Sequence, residues 1–512
     1  MLTFVLYAVS TFAEPIPAGS PLWPHPLSYT AGTTRTSLDP NLLSLTVTAV
    51  EPARGLLNSA LERFRRQAFI HEGSEMKASP VHSLEVSVSE NSELQLHVDE
   101  SYVLHVPVSG VATLSATTVF GAYHGLHTLS QLISFNFTSG CYELEGAPWH
   151  IEDRPLYPHR ELLVDSSRHF EPVVVLTHLI DSMAMAKINV LHWHIIDSQS
   201  FPAPSRIHPE FSEKGAFSAG ERYTWQELQE VVEYGRARGV RVVPEFDVPA
   251  HTDSWAKSHP ELFPMSCKAA LDPANDMVYE VIGELLQDWS EVFTDDVVHL
   301  GTDELIESCW NNTLDVTFMA AHGIESFGDL FGYFVEKVVG IANNIGKRAT
   351  VWDESIIRSN RTPANAVVQI WHGDPGLLQK AITAGHDAVY TPDGPWYLDG
   401  LGVTWEDMYK IDPAANLKEA PGRVLGGGGE MWGETVDPSD LELTVWPRLA
   451  AIAERLWSPV SVTSQGPDAA RDRLEAFRCF LLQRGVGSGP VGGRGRDAPP
   501  GPGSCLQLDL LV

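Results

Sequence analysis

The chain has 512 residues, 43% of them hydrophobic and 20% charged, a balance that suits a globular protein and excludes collagen-like or wholly disordered structure. Its 66 acidic residues against 35 Lys and Arg give a formal net charge of −31, which excludes the concentrated basic face that a nucleic acid partner needs. Single cores rarely grow beyond about 250–300 residues, so the length predicts two domains.

The first segment, residues 1–13, carries Leu2, Phe4, Val5, Leu6, Ala8 and Val9 and then small residues. It reads either as a short signal peptide ending near Ala13 or, since it lacks a basic start, as an ordinary chain beginning. Residues 14–155 predict a small mixed α/β domain. Alternation in Leu84–Val88 and Tyr102–Val106 predicts half-buried strands, and the spacing of Val119, Tyr123, Leu126, Leu129 and Leu132 behind Thr118 predicts a capped helix. No run of apolar residues approaches the roughly 20 that a membrane-spanning helix requires, so no membrane span is expected.

After the stretch from Pro148 to Pro158, short apolar strands alternate with amphipathic helices through residues 156–485. The predicted strands are Glu161–Asp165, Asn189–Asp197, Val240–Asp247, Val297–Asp303, Ala349–Asp353, Val367–Trp371, Ala388–Thr391 and Val424–Trp432. Helices are predicted at Val173–Ala186, Trp225–Arg238 behind a Thr224/Glu227 capping box, and Met277–Val292. Eight such units predict a (β/α)8 TIM barrel, preceded here by the smaller α+β domain. Residues 486–512 form a Gly/Pro-rich tail.

Barrels build their active sites at the C-terminal ends of the strands. Arg168, Asp197, Asp247, Asp303, Glu304, Trp352, Trp371, Tyr397, Trp432 and Glu434 all fall there. The adjacent carboxylates of Asp303 and Glu304 repel each other unless one is protonated or well partnered, and such a split suits an acid donating to a leaving oxygen beside an ionised neighbour. Taken alone, the dipeptide reads as a solvated acidic turn, Arg168 as an ion pair to Asp165, and His251 as a satisfied loop histidine. The joint placement of Trp352, Trp371 and Trp432 points instead to an aromatic wall for a sugar ring. His192 and His194 lie two apart on a strand with no third ligand evident in sequence, so they read as structural, and neither a metal nor another cofactor is expected. Five cysteines leave an odd one, and their pairing is open from spacing alone. Asn136, Asn311 and Asn360 head Asn-x-Thr triplets that accept glycans in the secretory pathway.

Several motifs occur together in barrel order: Asp165-Ser-Ser-Arg-His169, Leu191-His-Trp-His194, Pro244-Glu-Phe-Asp247 with His251, Asp303-Glu304, Pro395-Trp-Tyr-Leu-Asp399, Met431-Trp-Gly-Glu434 and Trp446-Pro-Arg448. With them the chain, over about residues 20–485, resembles glycoside hydrolase family 20, the lysosomal-type β-N-acetylhexosaminidases. The resemblance implies a retaining exo-hydrolase that removes terminal β-linked GlcNAc or GalNAc, the substrate's own acetamido group acting as nucleophile through an oxazolinium intermediate. It implies Glu304 as general acid/base, Asp303 orienting the acetamido group, and Tyr397 bonding its oxygen. Trp352, Trp371 and Trp432 would enclose the sugar, while Arg168, Asp399 and Glu434 hold its hydroxyls and Asp197 and His251 support the carboxylates. Disulfides Cys267–Cys309 and Cys479–Cys505 follow by the same resemblance, leaving Cys141 free. So do a lysosomal, vacuolar or secreted location, a homodimer, and amino-sugar glycoconjugates or chitin-derived oligosaccharides as substrates.

Three positions depart from the family pattern. Thr302 stands where a second glycine is usual before the acidic pair, and a β-branched residue is expected not to take up a positive φ there. Ser198 replaces an aspartate, and Ala250 a glycine. Asp399-Gly400 replaces the Asn-Arg pair of members that favour anionic sugars, so neutral substrates are expected. A carbohydrate-binding homologue weakened in turnover by Thr302 is the alternative reading. A chitinase-like barrel would need an Asp-x-Asp-x-Glu strand end, which the sequence lacks.

Overall fold

The computed structural model describes residues 22–492 and Cys505, apart from positions 75, 77, 266 and 416. The expected signal peptide and most of the Gly/Pro-rich tail lie outside the described residues.

The N-terminal part is one mixed sheet of seven strands: β1 (Ser28–Leu38), β2 (Ser44–Thr48), β3 (Val81–Val88), β4 (Tyr102–Val106), β5 (Gly110–Ala116), β6 (Ile133–Asn136) and β7 (Cys141–Asp153). They run in the order β1-β7-β4-β5-β3-β2, with β6 beside β7. Two helices pack on the sheet and on each other. One is the predicted helix Val119–Leu132, its N-cap Thr118 accepting from Phe120 N and Gly121 N. The other, Ala53–Ala68, was not read from the sequence, although its buried Leu57, Ala60, Leu61, Phe64 and Ala68 follow a helical period.

The rest of the chain closes a parallel barrel of β8 (His159–Asp165), β9 (Val190–His194), β10 (Arg241–Glu245), β11 (Val297–His299), β12 (Arg348–Trp352), β13 (Val367–Ile370), β14 (Ala388–Tyr390) and β15 (Val424–Met431). All eight expected strands are present. Several end earlier than expected: β9 stops at His194, β10 at Glu245 and β11 at His299. The ladder stops where the chain turns outward, so Asp197, Asp247 and Asp303 stand in loops beyond it. The Thr224/Glu227 capping box opens helix Trp225–Arg236 as expected.

Glu161, His192, Gln369 and Glu430 are all buried within the barrel. Gln369 hydrogen-bonds Glu161 and, at 3.4 Å, Glu430. Strand β15 carries four successive glycines, Gly426–Gly429, of which Gly428 leaves room for Glu161. A Cβ on Gly428 would stand 2.0 Å from Glu161 Cγ, and one on Gly427 would stand 2.1 Å from Tyr390 O.

A buried ionic seam joins sheet and barrel. Glu100 accepts from Arg160 Nη2 at 2.5 Å and lies 2.9 Å from His124 Nε2, and Lys187 Nζ reaches Asp153 at 2.8 Å. Trp457, which donates to the same Asp153, belongs to the apolar core of the N-terminal sheet. Burial would raise the Glu100 carboxyl, yet Arg160 and His124 bring it down to about 2. Glu100→Ala strands Arg160 as a buried, unpaired cation, so a loss of about 3–5 kcal/mol is expected in urea unfolding at neutral pH. A loss below about 1 kcal/mol would show that the seam contributes no cohesion.

Candidate active site

The loops after the barrel strands bring the predicted residues together. Arg168, His251, Asp303, Glu304, Trp352, Trp371, Tyr397, Asp399, Trp432 and Glu434, joined by Thr435, line one cleft of about 330 Å³. Asp197 is buried directly behind it.

Arg168 pairs with Asp165, as its isolated reading allows, at 3.0 Å, and it also pairs with Asp197 at 2.8 Å. Its guanidinium lies 5.2 Å from the centre of the Trp432 ring and 3.8 Å from Glu434. Burial opposes its charge, but the carboxylates of Asp165, Asp197 and Glu434 hold it charged beyond the ordinary arginine range.

His251 links the two carboxylates at the centre. Its Nδ1 faces Asp197 Oδ1 at 3.3 Å, while Nε2 lies 3.4 Å from Glu304 Oε2 and 3.6 Å from Asp303 Oδ2. Burial would discharge the ring, but Asp247 and Asp303 raise its pKa well above the ordinary value. The acidic pair is therefore split. Glu304, with 61% of its side chain accessible, is lowered first by the His251 imidazole, whose Nε2 stands 3.4 Å away. Asp303 is pushed up by burial to about 7. In the free cleft Asp303 is thus the carboxyl that holds a proton more readily, opposite to the split expected for an acid at Glu304. The cause is position: Glu304 faces water and a cation, whereas Asp303 is buried beside other acids. Tyr397 is held by burial well above its usual pKa and so keeps its proton.

Backbone strain concentrates at the acidic loop. Gly301, Thr302 and Glu304 have φ of 64°, 81° and 47°. The expectation that Thr302 would avoid a positive φ is therefore incorrect. Neighbouring contacts fix the turn: a Cβ on Gly301 would stand 1.7 Å from Asp247 Oδ1, so the chain passes tightly over that carboxyl. Thr302 is fully buried and its hydroxyl has no partner among the described residues, which adds to a cost of about 1–3 kcal/mol for such a conformation. Ala250 keeps an ordinary φ, the left-handed turn falling on His251 at 56°. Ser198 donates to Asp253 Oδ2 at 2.6 Å, so a carboxylate still stands where the replaced aspartate would have supplied one.

Three groups that the sequence reading did not place in the site support it. Glu354 accepts from Trp371 Nε1 at 3.0 Å and from Glu304 N at 3.4 Å. Glu245 accepts from Trp352 Nε1 at 2.8 Å and pairs with His194 Nδ1 at 2.6 Å, and His194 Nε2 reaches Asp197 at 2.8 Å. Glu245 also lies 3.1 Å from both His192 Nε2 and His299 Nδ1, so the third group missing beside His192 and His194 in sequence comes from the next strand. Only the carboxylates next to Trp352 in Trp352-Asp353-Glu354, and within the Pro244–Asp247 motif, hinted at them.

The described residues hold disulfides Cys267–Cys309 and Cys479–Cys505, with Cys141 free. Asn311 and Asn360 are exposed, whereas Asn136 is half-buried and donates to Glu143 at 3.2 Å.

Burial pushes Asp303 and Asp353 up to about 7 and Glu171 to about 9, and Glu245 overrides burial to lift His192 to about 10. With His194, Asp247, His251 and Glu430 also raised, these groups outnumber the histidines that burial lowers, His25, His97, His124, His127, His299 and His386, so the folded chain binds more protons than the unfolded chain between about pH 6.5 and 8 and its stability falls as pH rises through that window. Calorimetry should show a lower Tm at about pH 8 than at about pH 6.5; a flat or rising Tm would contradict these assignments.

The family described as "Glycosyl hydrolase family 20, catalytic domain" matches residues 157–460, and "beta-acetyl hexosaminidase like" matches residues 22–132. The chain is 38% identical to beta-hexosaminidase 1 of Arabidopsis thaliana, over 99% of this chain and 98% of the relative. It is 34% identical to beta-hexosaminidase subunit beta of Homo sapiens, over 94% and 90% of the two chains. Flavobacterium johnsoniae chitobiase superposes with a TM-score of 0.81 at 29% identity, covering 91% of this chain and 73% of the chitobiase.

Proposed function

The chain belongs to glycosyl hydrolase family 20, and on that premise we propose how its cleft removes terminal β-linked GlcNAc and GalNAc. The observation that carries the reading is the acidic pair Asp303 and Glu304 set within one cleft walled by Trp352, Trp371 and Trp432. The tryptophans pack on the apolar face of one pyranose, and Arg168, Asp399 and Glu434 bond its hydroxyls. The acetamido N–H donates to Asp303, whose Oδ1 has no donor among the described residues. That bond favours the ionised form and brings the buried carboxyl down from its value in the free cleft. The aglycone meanwhile displaces water from Glu304 and raises it towards an acid.

Glu304 then protonates the glycosidic oxygen as the acetamido oxygen, held by the Tyr397 hydroxyl, bonds to C1 and the C1–O bond to the aglycone breaks. Asp303 balances the oxazolinium charge. A water deprotonated by Glu304 adds to C1, opening the ring with retention and restoring the acid. The alternative, a sugar-binding homologue with weakened turnover, is not favoured by the geometry, because both carboxylates line the cleft despite the strain at Thr302.

Substrates are amino-sugar glycoconjugates or chitin-derived oligosaccharides, and we place the enzyme in an oxidising compartment, lysosomal, vacuolar or secreted, because its disulfides persist there. A homodimer is part of this reading and is checked by light scattering. Burial pushes Asp399 up to about 6, and two further acids, Asp393 and Glu434, add to that shift. Above about pH 6, where Asp399 is ionised, an anionic 6-substituent there meets negative charge, so a 6-sulfated aryl glycoside should turn over at least about tenfold more slowly than the neutral one. Equal rates would refute the assignment of Asp399. Glu304→Gln should cut kcat on aryl β-N-acetylglucosaminide by about 10²–10⁴ while sugar binding persists. Retained turnover would remove Glu304 from the acid role, and absence of hydrolysis by the folded parent chain from about pH 3 to 8 would refute the activity.

A further inference from the structure

The tripeptide His-Pro-Glu occurs twice, at residues 208–210 and 259–261, and neither copy lines the cleft. The fold brings the two together. Pro209 precedes the short helix Glu210–Gly215 and Pro260 opens the 3₁₀ turn Pro260–Leu262, so each histidine sits at the entry to a turn. His259 Nε2 faces Glu210 Oε1 at 2.9 Å, and His208 Nδ1 faces the same oxygen at 3.5 Å. The remaining nitrogens are also occupied: His208 Nε2 lies 2.7 Å from Glu284 Oε2, and His259 Nδ1 lies 3.0 Å from Glu261 Oε1. Phe211 holds both rings, its centroid 5.9 Å from His208 and 4.5 Å from His259.

Counting hydrogens shows what this arrangement lacks. Each ring faces a carboxylate on both nitrogens, a demand that a neutral imidazole with its one N–H cannot meet and that either a second ring proton or a bound metal cation would meet. In neutral rings whose N–H groups go to Glu284 and Glu261, the inner nitrogens point lone pairs at an oxygen that is itself only an acceptor. A cation shared by the three inner atoms turns those repulsions into bonds. Histidines that ligate a metal usually donate the other N–H to a carboxylate, the part Glu284 and Glu261 fill here. Ligands at 2.0–2.1 Å from a tetrahedral zinc are separated by about 3.3 Å, between the two observed separations. We infer that His208 Nδ1, His259 Nε2 and Glu210 Oε1 form a binding site for a divalent transition cation of the Zn²⁺ class, with water completing the tetrahedron. Two imidazoles against one carboxylate disfavour Ca²⁺ and Mg²⁺, which prefer all-oxygen shells.

The site would tie two loops of the catalytic end. His208 follows β9 on the segment that carries Asp197, and His259 follows β10 on the loop that carries His251. Among the described residues its ligands make no hydrogen bond, ion pair or ring contact with a cleft residue, so the metal would act on the rigidity of these loops and not on the bond-breaking steps.

The test uses the full chain stripped with chelator and titrated with Zn²⁺ at about pH 7.5. Calorimetry should give one saturable site, weakened at least about tenfold in both His208→Ala and His259→Ala. Zn²⁺ should raise the Tm of the parent and not of either variant. Metal-free hydrolysis of an aryl glycoside reports that the variants are folded and should match the parent; should alanine disturb the loops, Glu210→Gln, which keeps the side-chain volume, replaces it. Binding of the same affinity in these variants, or the absence of a saturable one-to-one step in the parent, overturns the site. The metal-free activity control separates that failure from failure of the hydrolase reading.

Discussion

Glu245, wholly buried at the end of β10, keeps its carboxyl well below the usual range because His194, His299 and His192 outweigh the cost of burial. Everything at the catalytic end is keyed to this charge. It holds His194 protonated, His194 fixes Asp197, and Asp197 receives both Arg168 and His251. Its second oxygen orients the Trp352 indole. A low dielectric makes each of these contacts strong and each broken one expensive, so the network has few alternative arrangements. The side chains that line the cleft are in this way held by the barrel interior, and the surface loops only deliver them.

The same field explains why the free cleft does not present its carboxyls in the states that catalysis requires. A buried Asp303 among acids and a solvated Glu304 beside a charged His251 relax in opposite directions. In the proposed reaction the sugar brings a donor to one and excludes water from the other, so that the ligand would supply part of the electrostatic arrangement. On that mechanism, a chain whose nucleophile belongs to the substrate would also depend on the substrate to set its acid.

The barrel was legible because parallel strands buried on both faces appear as short apolar runs, and Asp197, Asp303, Trp352, Trp371 and Trp432 mark where those runs end. Their upper limits were set too late at β9, β10 and β11 because apolar residues continue into the loops, as Ile195, Ile196, Phe246 and Leu300 do, all buried. Glu245 and Glu354 were harder to see. Each acts through a neighbour distant in sequence, and a buried carboxylate carries no local mark to distinguish it from a solvated one. The helix Ala53–Ala68 escaped because its sequence, with four arginines, is polar overall and its apolar stripe is narrow. Thr302 was misjudged for a different reason: a side-chain preference of a few kcal/mol yields to a loop whose path Asp247 and the barrel wall already determine.

The glycine run of β15 has a genetic consequence. Most barrel strands tolerate exchange among apolar residues, but here the neighbours have grown into the space that the missing side chains leave, Glu161 at Gly428 and Trp396 and Tyr390 at Gly427. Even alanine at either position would force the last strand away from its partners. Inherited changes at these two glycines would therefore disrupt the barrel while every residue that lines the cleft stays intact, and a survey confined to the cleft would class such alleles as harmless.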